Sequence, residues 1–129
     1  MDDFNWSDCS ILIVEDNYLG YKLLQALLKN SLVNILYADN GIKAIEMVKN
    51  HPEINLILMD IQLPLMDGYE TTSEIKKIRP DIPVIAQTAN AMDDDKAKCL
   101  NAGCIDYIAK PIVFETLFRM INNYIRKTN

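Results

Sequence analysis

The sequence predicts an α/β fold, a three-layer sandwich with a parallel five-stranded sheet between two layers of helices. Three observations carry that prediction. Apolar runs of strand length recur along the 129 residues, segments with apolar residues at helical spacing lie between them, and turn-forming residues fall at the joins. Strand and helix alternate five times in steps of roughly 20 to 25 residues, a pattern that implies right-handed βαβ crossovers.

The first strand is read from the run Ile11 to Val14, followed by a helix with Leu19, Leu23, Ala26 and Leu27 on one stripe. A weaker strand, Val33 to Tyr37, precedes a helix lined by Ile42, Ile45 and Val48. The run Ile54 to Met59 is the third strand, and Thr72, Ile75 and Ile78 mark the third helix. Ile82 to Ala86 is the fourth strand, with Ala97 and Leu100 on the helix after it. Ile105 to Ile108 is the fifth strand, and Phe114, Leu117, Ile121 and Tyr124 line the last helix. Several of these runs are apolar at consecutive positions, as in strands buried on both faces of a parallel sheet. Asn40-Gly41, Pro64, Asp67-Gly68, Pro80, Gly103 and Pro111 punctuate the elements.

Half of the residues are hydrophobic and 24% are charged, which suits one folded domain with a sizeable core, here expected over about residues 10 to 126 of 1–129. The formal net charge of −5 argues against nucleic acid as a direct partner, because phosphate contacts need a basic face. No window approaches the ~20 apolar residues that span a bilayer. Asp2, Asp3 and Asp8 with no basic residue in the first ten do not make a signal peptide, and Cys9, Cys99 and Cys104 read as reduced thiols; both point to the cytoplasm.

In an open parallel sheet, chemistry gathers beyond the carboxyl ends of the strands. The residues following the runs are Glu15 and Asp16, then Asp60, then Thr88 one past Gln87, then Lys110. Three carboxylates, a hydroxyl and an ammonium thus meet at one sheet edge. Such carboxylates repel and stay ionised only around a cation, and an all-oxygen donor set suits Mg²⁺ or Mn²⁺ better than zinc. A strand-end carboxylate such as Asp60 can attack phosphorus, with Lys110 offsetting the charge that moves and Thr88 donating a hydrogen bond.

The stretches Ile13 to Asn17, Leu58 to Gly68, Ile85 to Met92 and Ala102 to Pro111 closely resemble the receiver (response-regulator) domains of two-component systems, most of all those of hybrid histidine kinases. The resemblance runs from about Ser10 to Arg126. It implies a flavodoxin-like doubly wound sheet of order 2-1-3-4-5. It implies Asp60 as phosphoacceptor, and metal ligation by Asp16, Asp60, the Gln62 main-chain carbonyl and Glu15, the last through water. It further implies Thr88 as the switch hydroxyl, Tyr107 as the aromatic that turns inward, and Lys110 as the phosphoryl contact with a cis bond before Pro111. Small Ala89 would leave the pocket open, and Gln62 and Asn90 would tune dephosphorylation. The implied partners are a histidine kinase or histidine phosphotransfer protein as donor and a downstream protein on the surface of the fourth helix, fifth strand and fifth helix. The chain would be a monomer or a phosphorylation-dependent weak dimer, not an enzyme with a separate substrate. It would be a piece of a hybrid sensor kinase or, alternatively, a free-standing regulator. Gly20, where the family often has Asn, and Leu63, where it often has Met, depart from the pattern.

Other features have plainer readings. Asp67 is expected as a turn residue, Asp93 to Asp95 as a helix cap, His51 as a loop histidine, and Trp6 as a packed anchor or an appended residue. A phosphoesterase with an Asp nucleophile usually carries a second Asp two residues on, and here Tyr18 follows Asp16 at that spacing.

Overall fold

The computed structural model describes residues 4–89 and 93–125, without the side chains of Asp93 and Asp94. The elements are β1 (Ser10–Val14), α1 (Tyr18–Leu28), a 3₁₀ turn (Lys29–Ser31), β2 (Asn34–Ala38), α2 (Gly41–Asn50), β3 (Ile54–Asp60), α3 (Gly68–Ile78), β4 (Val84–Thr88), α4 (Asp93–Ala102), β5 (Asp106–Ala109) and α5 (Phe114–Tyr124). All neighbouring strands are parallel, in the order β2-β1-β3-β4-β5, the doubly wound order expected. The switch in strand order falls between β1 and β3, so that their carboxyl ends form the crevice where chemistry gathers.

Each strand face builds its own core, because side chains alternate along a strand. Ile11, Ile13, Leu56, Leu58 and Ile85 meet Leu24 and Leu28 of α1 and Leu117, Phe118 and Ile121 of α5. Leu12, Val14, Ile57, Met59 and Val84 meet Ala44 and Val48 of α2, Ile75 of α3 and Cys99 of α4. Trp6 is buried in the first cluster, stacks on Phe4 and donates from Nε1 to Asn122 at 3.3 Å, so the anchor reading holds.

Several expectations need correction, among them Ile42 of α2, which is exposed while Ala44 and Val48 are buried. In α1 the buried residues are Leu24 and Leu28, while Leu19 and Leu23 face solvent. The α1 sequence is apolar enough to offer two stripes, and packing of the helix on β1 selects the other one. In α4 the buried residue is Cys99, with Leu100 and Ala97 exposed. The fourth strand begins at Val84 rather than Ile82, because Pro83 has no N–H to give the ladder, although its carbonyl accepts from Ile57.

Side chains cap the starts of three helices. Asn17 Oδ1 accepts from the Gly20 N–H, Asn40 Oδ1 from Lys43, and Asp67 Oδ1 from Glu70. Asp67 is therefore the N-cap of α3. His51 lies at the end of α2, exposed, with Nδ1 3.1 Å from Glu53. Of the acidic run, Asp93 opens α4 and Asp95 reaches across to Tyr69 and Thr88, as described below.

Candidate active site

β1 and β3 pair with Val14 opposite Met59, which sets Glu15 beside Asp60 one step further on. Both side chains are buried, at 3% exposure, while Asp16 is exposed. One carboxylate oxygen from each of Glu15, Asp16 and Asp60 lies within 4.8 Å of the others. Lys110 extends into this group from beyond β5, with Nζ 3.4 Å from Asp60 Oδ1 and 3.5 Å from Glu15 Oε1. The peptide bond between Lys110 and Pro111 is cis.

Burial pushes the Glu15 carboxyl up to about 7, helped by its hydrogen bond with Asp60 and the Asp60 charge; Lys110 and the Asn17 N–H oppose the shift. Glu15 therefore retains a proton near neutrality when only Lys110 is there to offset the crowded carboxylates. A hard divalent cation would remove that need. The donors are oxygen-only, crowded and partly solvent-facing through Asp16, and they fit Mg²⁺. Among the described residues this is the one group of three such side chains close enough to hold a metal.

The main chain fixes the walls. Tyr37 donates to the Glu15 carbonyl at 2.8 Å, and the Gln62 N–H donates to Asp60 Oδ1 at 3.1 Å. The Ile61 N–H donates to the Gln87 carbonyl, and the Lys110 N–H to the Thr88 carbonyl at 2.8 Å. Thr88 ends β4 beside β3, is buried at 4% exposure, and donates from Oγ1 to Asp95 Oδ2 at 3.5 Å. Tyr69 donates to the other Asp95 oxygen at 3.3 Å. Tyr107 is half-buried against the second core cluster and borders a surface cleft of about 500 Å³ with Lys96, Leu100 and Met120. Ala89 is exposed at the end of β4, and Asn90 lies outside the described residues.

Glu15, Asp16, Asp60 and Lys110 thus meet as the strand ends imply, with Thr88 one strand away. Two contributors were not singled out from sequence. A Cβ on Gly68 would stand 2.5 Å from the Asp60 carbonyl oxygen and 2.7 Å from Ile61 Cα, so only glycine lets α3 start against the backbone of Asp60. The Gly68 N–H closes that contact by donating to the Ile61 carbonyl at 2.9 Å. The Asp-Gly pair marks a turn in the sequence, but not this close approach. Tyr37 carried no signal, since an aromatic in an edge strand is ordinary.

The family model of the response regulator receiver domain matches residues 11–122. The chain is 41% identical over 117 residues to the signal transduction histidine-protein kinase BarA of Escherichia coli, covering 89% of this chain but 13% of BarA. It is 40% identical over 119 residues to the polar-differentiation response regulator DivK of Brucella anthropi, covering 90% of this chain and 95% of DivK. Among solved structures, the receiver domain of the sensor histidine kinase PA1611 of Pseudomonas aeruginosa, with a magnesium ion coordinated in its active site cleft, superposes with a TM-score of 0.84 at 36% identity over 91% of this chain and 97% of that one. The receiver domain of Saccharomyces cerevisiae Ssk1, crystallised with the histidine phosphotransfer protein Ypd1, superposes with a TM-score of 0.85 at 29% identity over 92% of this chain and 89% of that one.

Proposed function

Since this chain belongs to the response regulator receiver family, a domain of two-component signalling, we propose that Asp60 accepts a phosphoryl group from a phosphohistidine on a partner kinase or phosphotransfer protein. The observation that carries this reading is the grouping of Asp60 with Glu15, Asp16 and Lys110. An Asp60 oxygen attacks phosphorus, a P–O bond forms as the P–N bond to imidazole breaks, and the imidazole leaves with the donor. Lys110 supplies positive charge where phosphoryl oxygens come to rest, and the Gln62 N–H orients the attacking carboxylate. Glu15, Asp16, Asp60 and the Gln62 carbonyl would hold Mg²⁺, which when bound supplies charge neutralisation for the transferring group.

Thr88 then exchanges its bond to Asp95 for one to a phosphoryl oxygen, and Tyr107 moves toward the space it leaves. The surface of α4, β5 and α5 changes in consequence, and a downstream protein reads the change. Gln62, on the loop after Asp60, and Asn90 set how long the acyl phosphate lasts. The donor docks where Tyr18, Leu19, Leu23 and Val113 expose apolar surface near the acceptor edge. PA1611 and Ssk1, with their magnesium and phosphotransfer partner, support the ion and the donor class proposed. The chain spans about 13% of BarA and nearly all of DivK, so it would serve either inside a hybrid kinase or as a separate regulator. No helix among the described residues is long and apolar enough to cross a membrane, and the expected compartment is the cytoplasm.

Fluoroberyllate titration with Mg²⁺, followed by amide NMR, tests the reading. Saturable shifts at Asp60, Thr88 and Lys110 are expected. A receiver that only binds partners, without phosphoryl chemistry, would give none.

A further inference from the structure

Thr88 lies on the strand face of Val84 and Ala86, toward α3 and α4. Its hydroxyl donates to Asp95 Oδ2, in the first turn of α4, at 3.5 Å. Tyr69, in the first turn of α3, donates to Asp95 Oδ1 at 3.3 Å. One carboxylate thus collects two hydroxyls, one from a strand end and one from a neighbouring helix, and links α3, β4 and α4 beside the acceptor edge. The α3 side of this link is fixed, because Gly68 seats the helix start on the backbone of Asp60 and Ile61. Burial pushes the Tyr69 phenol above its ordinary value, with the Cys99 thiol and the Asp95 carboxylate adding to the shift, so Tyr69 keeps the proton that it donates.

We infer that Asp95 is a positioning residue for the switch hydroxyl, and Tyr69 a positioning residue for Asp95. In the unphosphorylated chain the Asp95 carboxylate holds Thr88 Oγ1 toward α4. Asp95 is only half-buried, and its terminal torsion has a broad minimum, so the Tyr69 bond is what keeps one oxygen aimed at Thr88. A phosphoryl group on Asp60 competes for the same hydroxyl, and the strength of the Asp95 bond sets how readily Thr88 turns to it. Both bonds are longer than the roughly 2.8 Å usual for hydroxyl donors, which keeps the hold weak enough to be exchanged. This role rests on the reading of Asp60 as acceptor and adds the two side chains that set where Thr88 rests.

Fluoroberyllate titration of the chain in Mg²⁺, followed by amide NMR, tests it. Asp95→Ala removes the competing acceptor and should tighten fluoroberyllate binding by about three- to fivefold, the scale of one modest hydrogen bond. Mg²⁺ affinity should stay at the parent's value, whereas damage to the fold would weaken both. Tyr69→Phe, which removes a single oxygen, should act in the same direction but less, and decides the matter if Asp95→Ala does not fold. In a Thr88→Val background there is no hydroxyl to hold, and Asp95→Ala should change nothing. Unchanged or weaker fluoroberyllate binding in the two variants, or the same gain without the Thr88 hydroxyl, would overturn the assignment. A second measurement involves no chemistry at Asp60. Couplings to the Thr88 methyl in EDTA report its rotamer populations, with one rotamer expected to dominate in the parent and to lose ground in Asp95→Ala and Tyr69→Phe. Unchanged populations in both variants would overturn the assignment, while a parent that fails to bind fluoroberyllate would overturn the reading of Asp60 instead.

Discussion

The Lys110 ammonium stands 3.4 Å from Oδ1 of Asp60, although β5 lies two strands away from β3 in the sheet. The long side chain crosses over the end of β4 and is only a third exposed, so its charge acts in a partly dry setting. It touches both Asp60 and Glu15, and so counters the two buried carboxylates of the site.

Lys110→Met should separate catalysis from ion binding. Phosphorylation of Asp60 by a small phosphodonor should slow by roughly a hundredfold, the scale of losing one preorganised charge partner. Mg²⁺ affinity should hold or rise, because a competing cation has gone. Labelling rates and a metal titration on the same preparation check both arms; parallel loss of both would point to simple misfolding.

The proton on Glu15 gives the metal-free protein a pH dependence. A carboxyl raised to about 7 in the folded state and near 4.5 when unfolded makes folding bind a proton. That contribution is fully present below pH 4.5 and is lost as pH rises through 7. Urea unfolding in EDTA, read by Trp6 fluorescence, should show the loss, roughly 1–3 kcal/mol for a shift of this size. Glu15→Gln should flatten the slope across that window, and Mg²⁺ at pH 8 should restore stability to the parent. A parent curve that rises between these two values as Glu15→Gln stays level would refute the assignment.

Gly68→Ala tests the seat of α3. The added Cβ would press on backbone atoms of Asp60 and Ile61, which cannot swing aside as a flexible side chain would. A destabilisation of about 1–3 kcal/mol is expected from forced overpacking. The same substitution at Gly20, where the Cβ would come within 3.3 Å of the Glu15 side chain, has a neighbour able to give way and should cost less. Paired urea midpoints for the two variants check the ranking.

The thiols should be unreactive in the native state. Burial raises the Cys99 thiol and pushes Cys104 up to about 12, and all three cysteines are buried. Ellman's reagent at pH 8 should label them only as fast as the chain unfolds; rapid stoichiometric labelling without denaturant would contradict the packing.

Much of this fold is legible along the chain because several buried strands are apolar at consecutive positions and the breaks between elements carry Gly, Pro or Asn. The site is legible for a related reason. Parallel strands deliver the residues that follow them to one edge, so Glu15, Asp60, Thr88 and Lys110 are brought toward one another without any long-range information. What periodicity does not resolve is the choice between two apolar stripes on α1, where Leu24 and Leu28 are buried instead of Leu19 and Leu23. Nor does it show contacts made between distant elements. The fit of Gly68 against Asp60, the Tyr37 bond to the Glu15 carbonyl, and the Asp95 bonds to Thr88 and Tyr69 all depend on packing.

The central claim is that Asp60 is the phosphoacceptor of this cluster. Incubation with phosphoramidate and Mg²⁺, followed by intact mass spectrometry, tests it most directly. The parent should gain one phosphoryl group, lost on hydroxylamine treatment and absent when EDTA replaces Mg²⁺, and Asp60→Asn should gain none. Equal labelling of Asp60→Asn and the parent would contradict the account.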